Sequence, residues 1–297
     1  MKRTDAPIFT VSEVLEVTGG ELLAGELPAT FDGISTDSRQ MKSRHLFVAL
    51  AGGNFNGHDF LTNAVEGGAT GLLVQNEEKD KLQKIPKGVC VISVTDTLKA
   101  LGDLAHAYRM RFSIPVIALT GSSGKTTTKE MIAAILESRK NVLKTVGNLN
   151  NLIGLPQTIF RLQSTHDIAV LEMGTNTRGE IKRLTQIASP DIGLITNIGP
   201  AHLAGLGSIE AVRQEKGDLF MSMDPTKTVV VNLDDESVRM LAQKWSGRRL
   251  TYSMTSNADV SVKDIRQNGA KGVIFNLVAC GQERKIEMRV AGIHNIY

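Results

Sequence analysis

The chain contains few cysteines and few aromatic residues. Only 2 of its 297 residues are cysteines, and Cys90 and Cys280 lie far apart without the spacing of a zinc site or a redox pair. Both fall in apolar, strand-like segments, so we expect them to be small buried hydrophobic residues. Aromatic residues make up 4% of the chain.

A long apolar run is also missing. No apolar segment approaches the roughly 18 residues that span a bilayer, and the N-terminal segment 1–7 is polar overall. We therefore expect a cytoplasmic protein without membrane insertion. We also expect it to be a monomer.

Neither sign of charge is in large excess. The 34 basic and 31 acidic residues give a net charge of +3 and are scattered without a lysine or arginine stripe, so we expect no nucleic-acid partner. Hydrophobic residues at 41% and charged residues at 22% are typical of a soluble globular protein. Because 297 residues exceed the usual size of one hydrophobic core, we expect two domains.

Short apolar runs alternate with amphipathic stretches, which predicts an α/β fold. In the first third of the chain, strands are predicted at residues 46–50, 70–74 and 89–94. A helix is predicted at residues 97–112, with Thr97 as its N-cap. Pro115 ends this helical region, because the residue before a proline disfavours the α conformation. We place the domain boundary there, with a first domain of residues 1–112 and a second of residues 113–297.

The second domain begins with a strand, a glycine-rich loop and a helix. The strand is predicted at residues 115–120 and the helix at residues 126–138. Further strands are predicted at residues 141–145, 168–173, 192–198 and 228–233. Helical segments such as 178–188 separate them, which predicts a mostly parallel, helix-covered sheet. Alternating segments at 259–266 and 272–278 predict a hairpin at the edge of this domain.

The glycine-rich loop has the parts that a nucleoside triphosphate requires. Its glycines let backbone N–H groups approach phosphate oxygens, and the following helix presents its positive end. Lys125 can reach the β- and γ-phosphates, and the hydroxyl of Thr126 can ligate magnesium. The common motif has a glycine where this chain has Leu119, and the alternative interpretation is a serine-rich turn before a helix. We predict that ATP contacts Gly121, Ser122, Ser123, Gly124, Lys125, Thr126 and Thr127.

Three ionisable residues are further candidates. Glu172 ends an apolar strand at the carboxyl end of the predicted sheet, where open parallel sheets bind their ligands, so it could hold a metal. Alternatively, it is solvated or caps a helix. His202 follows another strand at the same end, and it is either a metal ligand or a structural loop histidine. Lys216 lies in a helical segment, where a lysine is ordinarily solvated.

Three polar clusters are candidates for substrate contacts. Asn148, Asn150 and Asn151 follow a strand between two glycines, which suits amide recognition of a polar substrate and equally suits a turn. The two N-terminal clusters could cradle a second anionic ligand or cap loops. They consist of Ser35, Thr36, Asp37, Ser38 and Arg39, and of Asn56, Gly57 and His58.

Together these residues resemble the Mur ligases, the ATP-dependent amide-forming enzymes of peptidoglycan precursor synthesis. The glycine loop, Glu172, the segment 197–203 and the pair His294 and Asn295 occur in that family's order and approximate spacing, over essentially the whole chain. The resemblance implies an N-terminal α/β uridine-nucleotide domain followed by a P-loop, mostly parallel-sheet ATPase domain. Folylpolyglutamate synthases share the loop, the glutamate and the histidine, so these features alone leave the substrate open.

The asparagine cluster narrows the choice of substrate. Together with residues 172–181, it is similar to the family member that adds D-alanyl-D-alanine to UDP-N-acetylmuramoyl-tripeptide. The resemblance implies these two molecules as partners, with substrate contacts from Asn148, Asn150 and Asn151. The two N-terminal clusters are similar to the family's uridine-nucleotide domain, with Asn56 where the family usually has aspartate.

The resemblance also implies roles around the phosphates. Lys125 would be the phosphate lysine, and His294 and Asn295 would contact the nucleotide. Lys216 matches a lysine that is carbamylated in some relatives. The implied magnesium ligands or their near neighbours are Thr126, Glu172 and His202. The implied catalytic residues are Lys125, Lys216 and His202.

The implied reaction is ATP-dependent amide-bond formation through an acyl phosphate, with Mg²⁺ as cofactor. The family has a third domain that carries much of the site for the incoming amine, so we expect little ligase activity from residues 1–297 alone. One alternative is a sister ligase that adds a diamino acid to the dipeptide precursor or glutamate to folate. Another is a nucleotide-binding module that uses ATP as a switch and forms no amide.

Overall fold

The computed structural model describes residues 8–26, 29–53, 55–201 and 203–297. The chain forms two compact units. The first unit consists of Met1–Ser113 and Leu152–Gln163, and the second of Ile114–Asn151 and Ser164–Tyr297. Leu152–Gln163 therefore belongs to the first unit, although the sequence-based boundary lies well before it.

Strands and helices alternate along the chain, and the predicted α/β class is confirmed. The strands are β1 (Phe9–Thr10), β2 (Glu21–Ala24), β3 (Thr30–Phe31), β4 (Gly33–Ser35), β5 (His45–Val48), β6 (Ala51–Gly52), β7 (Phe55–Asn56), β8 (Ala69–Gln75), β9 (Cys90–Val94), β10 (Val116–Thr120), β11 (Val142–Lys144), β12 (Ile168–Glu172), β13 (Ile192–Ile195), β14 (Thr228–Asn232), β15 (Arg248–Ser253), β16 (Val260–Gln267), β17 (Val273–Ala279) and β18 (Gln282–Met288). The helices are α1 (Val11–Thr18), α2 (Leu61–Glu66), α3 (Thr97–Arg109), α4 (Lys125–Glu137), α5 (Gly154–Ile159), α6 (Glu180–Ala188), α7 (Leu203–Leu206), α8 (Ile209–Met221) and α9 (Glu236–Gln243). Within the described ranges, no helix is both long and apolar enough to cross a membrane.

The first unit is built on a five-stranded sheet in the order β2-β9-β8-β5-β4. The strands are parallel except β2, which runs antiparallel to β9 at one edge. Both faces of the central strands are buried: Leu46 and Leu73 pack in one core, and Phe47 and Leu72 pack in the other. Burial on both faces explains why these strands were predictable as continuous apolar runs.

Helix α3 begins at Thr97, and its N-cap lies one residue before the predicted cap. Asp96 is the N-cap, and its Oδ1 accepts hydrogen bonds from the backbone N–H groups of Leu98 (2.8 Å) and Lys99 (2.9 Å). Thr97 is instead the first helical residue and is buried, so the predicted cap was wrong. Aspartate and threonine are both good caps, and the sequence does not decide between adjacent ones.

The second unit is built on a nine-stranded sheet in the order β11-β12-β10-β13-β14-β15-β16-β17-β18. The pairs from β11 to β16 are parallel, which confirms the predicted parallel sheet. Strand β10 lies between β12 and β13, with Leu119 opposite Glu172 and Thr120 opposite Ile195. The carboxyl ends of these three strands therefore lie side by side at one end of the sheet. The glycine loop and Glu172 lie at this end.

The far edge of this sheet is an antiparallel meander. The predicted hairpin is confirmed as β16 and β17, and β18 adds a third strand that the sequence analysis did not predict. Cys280 lies in the turn between β17 and β18 with φ 52° and is exposed, so its predicted burial was wrong. Cys90 is buried in β9, as predicted, and burial raises the pKa of its thiol to about 11.

Candidate functional site

The glycine-rich loop connects β10 to α4, as predicted. Gly124 adopts φ 77° immediately before the helix, a conformation that favours glycine. Gly121 packs so closely on Thr196 that a Cβ atom there would collide with the Thr196 hydroxyl. The two glycines thus let the chain turn sharply and expose the first N–H groups of α4, which is the geometry of an anion-binding loop.

Residues that follow β13 hold this loop in shape. The side-chain amide of Asn197 accepts from the backbone N–H of Ser123 (3.1 Å) and donates to its carbonyl (3.1 Å). The backbone carbonyl of Asn197 accepts from the N–H of Ser122 (3.0 Å), and the Thr196 hydroxyl donates to the Ser123 carbonyl (2.7 Å). The sequence analysis gave Asn197 no role of its own, although its position at the carboxyl end of a core strand was the available signal.

Lys125 is half-buried, and its Nζ donates to the carbonyl of Gly121 at a distance of 2.9 Å. Burial lowers the pKa of this ammonium, and the nearby charge of Glu172 opposes that shift. Thr126 and Thr127 are exposed. The loop therefore presents the Lys125 ammonium, which donates to a backbone carbonyl, and two exposed threonine side chains to an incoming phosphate.

Glu172 ends β12 with only 2% of its surface exposed, so the alternative of a solvated strand-end glutamate was wrong. Its Oε1 accepts from the side-chain amide of Asn150 (2.9 Å), and its backbone N–H donates to the Thr145 hydroxyl (3.0 Å). Its Oε2 is buried and has no hydrogen-bond partner among the described residues. The Lys129 ammonium lies 3.8 Å from this oxygen, beyond hydrogen-bond distance, so the lone pairs of Oε2 remain available to a bound cation. Glu172 therefore fits the predicted magnesium ligand.

Asn150, predicted as a substrate contact, faces Glu172 in this structure. Its side chain also lies against Gly174, and its carbonyl accepts from the Gly174 N–H (2.8 Å). Asn148 and Asn151 are exposed on the same turn. Of the three asparagines, only these two leave their side chains at the surface.

Lys216 lies in α8, which packs against β10 and β13. Its side chain is fully buried, and its Nζ has no hydrogen-bond partner in the described part of the chain. Its pKa falls to about 8, because burial and, to a smaller extent, the charge of Lys125 lower it, while the charge of Glu215 opposes both effects. The expectation of an ordinary solvated lysine was therefore wrong, and the structure makes Lys216 a reactive amine candidate.

His202, predicted as a catalytic residue and metal ligand, lies outside the described residues. Among the residues that are described, no three histidine, cysteine, aspartate or glutamate side chains cluster as a metal site. Glu172 and the exposed Thr126 are thus the predicted ligands whose positions the structure gives.

A cavity of about 520 Å³ opens beside the glycine loop. His294 and Asn295, the predicted nucleotide contacts, line it together with loop residues Ser123, Gly124 and Thr127. The other lining residues are Thr128, Met131, Thr196, Asn197, Asn232, Asp234, Asp235, Tyr252 and Tyr297. The cavity is of the size that small-molecule sites usually have.

Asp234 and Tyr252 also line this cavity, and neither was predicted from the sequence. Asp234 accepts hydrogen bonds from the Ser253 hydroxyl (2.6 Å) and the Met254 N–H (2.6 Å). Burial raises the pKa of Asp234, but these bonds and others outweigh it and leave the pKa below its ordinary value. Tyr252 is partly buried beside it, and that burial raises the pKa of the Tyr252 hydroxyl. Asp234 follows β14 at the same sheet edge as Glu172, which was the signal in the sequence.

In the first unit, the cluster from Ser35 to Arg39 is largely bound to itself. Arg39 forms a two-pronged ion pair with Asp37, with both N···O distances 2.9 Å, and holds the pKa of that carboxyl down to about 2. Ser35 accepts from the Asp37 N–H (3.1 Å), and Thr36 accepts from the side-chain amide of Gln157 (2.9 Å). Ser38 begins a short 3₁₀ turn that Asp37 caps. Loop capping, the alternative left open by the sequence, describes these contacts well.

The cluster Asn56, Gly57 and His58 is also tied into the first unit. His58 is 2% exposed, its Nδ1 bonds to the Asn56 Oδ1 (2.7 Å), and its Nε2 accepts from the Gln75 N–H (2.9 Å). Since Nε2 accepts, the proton lies on Nδ1, and burial lowers the pKa of the ring. The Asn56 amide donates to Glu78 (2.7 Å). An aspartate at position 56 would face the Glu78 carboxylate, so asparagine suits this neighbour.

Two family models match the chain. The Mur ligase middle domain matches residues 119–297, and the catalytic domain of the Mur ligase family matches residues 30–109. The UDP-N-acetylmuramoyl-tripeptide--D-alanyl-D-alanine ligase of Synechocystis is 42% identical over 224 residues, which cover 75% of this chain and 48% of that protein.

Solved structures agree with this match. The crystal structure of MurF from Acinetobacter baumannii has a TM-score of 0.87 and 32% identity, covering 97% of this chain and 62% of that one. MurF from Thermotoga maritima in complex with ADP has a TM-score of 0.78 and 28% identity, covering 89% and 60%. The chain thus spans about half to three fifths of the length of these proteins. By sequence and by structure, the chain belongs to the Mur ligase family.

Proposed function

We propose that this chain acts in ATP-dependent amide-bond formation, joining D-alanyl-D-alanine to UDP-N-acetylmuramoyl-tripeptide. The activity for which its relatives are named supports these substrates. The observation that carries the chemistry is the surrounding of Lys125 in the glycine loop. This lysine is close enough to Glu172 and to the buried Lys216 amine for their charges to influence one another's pKa. The Oε2 of that glutamate has no hydrogen bond among the described residues.

The second unit would bind ATP. The N–H groups of residues 121–127 would receive the phosphates, and Lys125 would exchange the Gly121 carbonyl for a phosphate oxygen. His294 and Asn295 would contact the nucleoside in the 520 Å³ cavity. The complex of the Thermotoga relative with ADP supports nucleotide binding by this chain.

Glu172, Thr126 and, by resemblance, His202 would hold Mg²⁺, which neutralises phosphate charge when bound. The unpartnered Oε2 of Glu172 supports this assignment. Near pH 8 a substantial fraction of Lys216 would be the neutral amine, the form that can add carbon dioxide to give a carbamate. A carbamate at Lys216 would place a negative charge opposite Lys125.

The proposed reaction has two steps. An oxygen of the tripeptide carboxylate attacks the γ-phosphorus of ATP. The bond between this phosphorus and the β–γ bridging oxygen breaks, so that ADP leaves and an acyl phosphate is formed. The amine of D-alanyl-D-alanine then attacks the acyl carbon, phosphate leaves, and the amine nitrogen loses a proton. Lys125 and the loop N–H groups stabilise charge on the transferring phosphoryl group, mainly by positioning and electrostatics.

The first unit would bind the uridine nucleotide through the clusters Ser35–Arg39 and Asn56–His58. Since Asp37, Asn56 and His58 are engaged within the protein, their proposed role is to shape the loops that carry exposed groups such as Arg39. Asn148 and Asn151 would contact the peptide. ATP and a UDP-linked precursor are both water-soluble, which supports the proposed cytoplasmic location.

Calorimetry on the chain tests this function. We expect separate binding of a non-hydrolysable ATP analogue and of UDP-N-acetylmuramoyl-tripeptide, with Lys125→Met weakening only the first. Preference for the dipeptide precursor or for folate would favour a sister ligase. Nucleotide binding without any affinity for a UDP-muramoyl peptide would favour the switch module and contradict the proposal.

A further inference from the structure

A second lysine lies behind the glycine loop. Lys129 is one helical turn beyond Lys125 in α4, and 1% of its side chain is exposed. Lysines are almost never fully buried unless they are paired. Its Nζ donates to the Thr145 carbonyl (2.8 Å) and lies 2.9 Å from a carboxylate oxygen of Glu130.

The third neighbour of this ammonium is Glu172. The Lys129 Nζ is 3.8 Å from Glu172 Oε2, and the two side chains are 1% and 2% exposed. That oxygen is the one without a hydrogen-bond partner among the described residues. The Lys129 charge therefore compensates a buried carboxylate without using up the lone pairs of its free oxygen.

Thr145 fixes the two partners relative to each other. Its carbonyl accepts from Lys129, and its hydroxyl accepts from the backbone N–H of Glu172. The Asn150 amide holds the other oxygen, Oε1. Three residues thus orient Glu172 with Oε2 left open and a positive charge behind it.

We propose that Lys129 is a positioning residue for Glu172: a built-in counter-cation that pairs with this buried carboxylate before a divalent cation binds Oε2. The proposal rests on the magnesium site proposed above. It assigns Lys129 no contact with ATP or substrate.

The proposal predicts that Mg²⁺ stabilises the folded chain more strongly when Lys129 is removed. In the wild-type chain the buried charge is already paired, so a divalent cation adds little to the pairing. In Lys129→Met the carboxylate loses its partner, and a cation bound to the folded state becomes its main compensation. Removal of the lysine should therefore lower the unfolding temperature without metal and enlarge the increase that Mg²⁺ causes.

The test is thermal unfolding of the full chain during an Mg²⁺ titration, with and without saturating ADP. We expect the Mg²⁺-induced rise in Tm to be about twofold larger in Lys129→Met than in the wild type, through linkage to the folded state. In Lys129→Met/Glu172→Gln both the extra destabilisation and the enlarged rise should disappear. Glu130→Gln is the matched control, since it removes the exposed carboxylate that contacts the same ammonium and should leave the Mg²⁺ response unchanged.

An Mg²⁺ response of Lys129→Met equal to or smaller than that of the wild type would overturn the proposal. So would a double variant as unstable as Lys129→Met in metal-free buffer, because the two charges would then not be coupled. Where Lys129→Met does not fold, Lys129→Gln carries the same comparison, since its amide can still donate to the Thr145 carbonyl. If the wild-type chain did not bind ADP, that result would instead count against the proposed function. Failure of the proposed function and failure of the Lys129 proposal therefore give different results.

Discussion

Burial gives the charged residues of the second unit their chemical character. Lys125, Lys129 and Lys216 are all lysines on helices, yet the first is half-buried on a carbonyl, the second is ion-paired and the third has no partner among the described residues. Glu172 lies close to Lys125 and Lys129, whereas Glu215 is the acidic neighbour of Lys216. Each lysine therefore has a different task, set by its contacts and not by its residue type.

Lys216→Met should stabilise the chain at neutral pH in buffer free of carbon dioxide. The pKa of Lys216 falls from 10.5 to about 8 on folding, so between these values the unfolded chain binds a proton that the folded chain does not. Native stability therefore rises with pH across this window, and the full penalty is present below it. Methionine removes a penalty of roughly 3 kcal/mol at pH 7.

Thermal unfolding of both chains at pH 7 and pH 10 checks this prediction. The advantage of the variant should be large at pH 7 and small at pH 10. An advantage of equal size at both values would mean that the gain comes from packing and not from the charge.

Residue roles were the least predictable part of the site. Asn150 and His58 carry polar groups in loops, which suggests ligand contacts, yet the structure directs them to Glu172 and to Gln75. Their partners lie 22 and 17 residues away along the chain. Nothing in the local pattern reveals such pairings, because they depend on how separate strands come together.

At the level of elements, the site is one strand–loop–helix unit held by its neighbour. Strand β10 delivers the glycine loop to α4, and Asn197 after β13 holds Ser123 on both its N–H and its carbonyl. The loop is therefore shaped before a phosphate arrives. Preorganisation of this kind lowers the entropic cost of binding.

Asn197→Ala should weaken binding of an ATP analogue by about thirtyfold, since the two lost hydrogen bonds to the Ser123 backbone are worth about 1 kcal/mol each and tenfold is about 1.4 kcal/mol. Binding of the UDP-muramoyl peptide should stay unchanged. Calorimetry with both ligands measures this, and Ser123→Ala, which removes only one hydroxyl contact with Asn197, is the milder control. Unchanged nucleotide affinity in Asn197→Ala would show that the loop keeps its shape without this contact.

Elements with a strong apolar pattern were predictable, and those without one were not. Strands β10, β12 and β13 are buried in a parallel sheet, so their sequences are short apolar runs. Strand β18 is mostly exposed and rich in charged residues, so its alternation carried no hydrophobic signal. Cys280 looked like the end of a buried strand because the turn that places it outside depends on a positive φ.

At the scale of the whole molecule, the chain leaves the second unit after Asn151 and returns to it at Ser164. In between, α5 packs on α3, and Phe160 packs against the core of the first unit that contains Leu46 and Leu73. The Tyr108 hydroxyl donates to the Leu162 carbonyl (3.0 Å). Sequence patterns locate linkers by composition, and no proline- or glycine-rich stretch marks this excursion. A boundary drawn from sequence alone therefore leaves a helix of the first unit behind.

A fragment of residues 1–113 should consequently be less stable than the same fragment with residues 152–163 joined through a flexible linker. Loss of α5 exposes apolar surface on α3, at about 25 cal/mol per Å². Thermal unfolding and binding of a hydrophobic dye compare the two fragments. Equal midpoints and equal dye binding would show that the excursion is not part of the first core.

The central claim is that this chain uses ATP to activate a carboxylate of a UDP-muramoyl peptide, and trapping the acyl phosphate tests it most directly. The chain is incubated with ATP, Mg²⁺, UDP-N-acetylmuramoyl-tripeptide and hydroxylamine, without D-alanyl-D-alanine. We predict ADP and a peptide hydroxamate in equal amounts, both lost in Lys125→Met. Binding of ATP and the tripeptide with no hydroxamate above the Lys125→Met background would contradict the account.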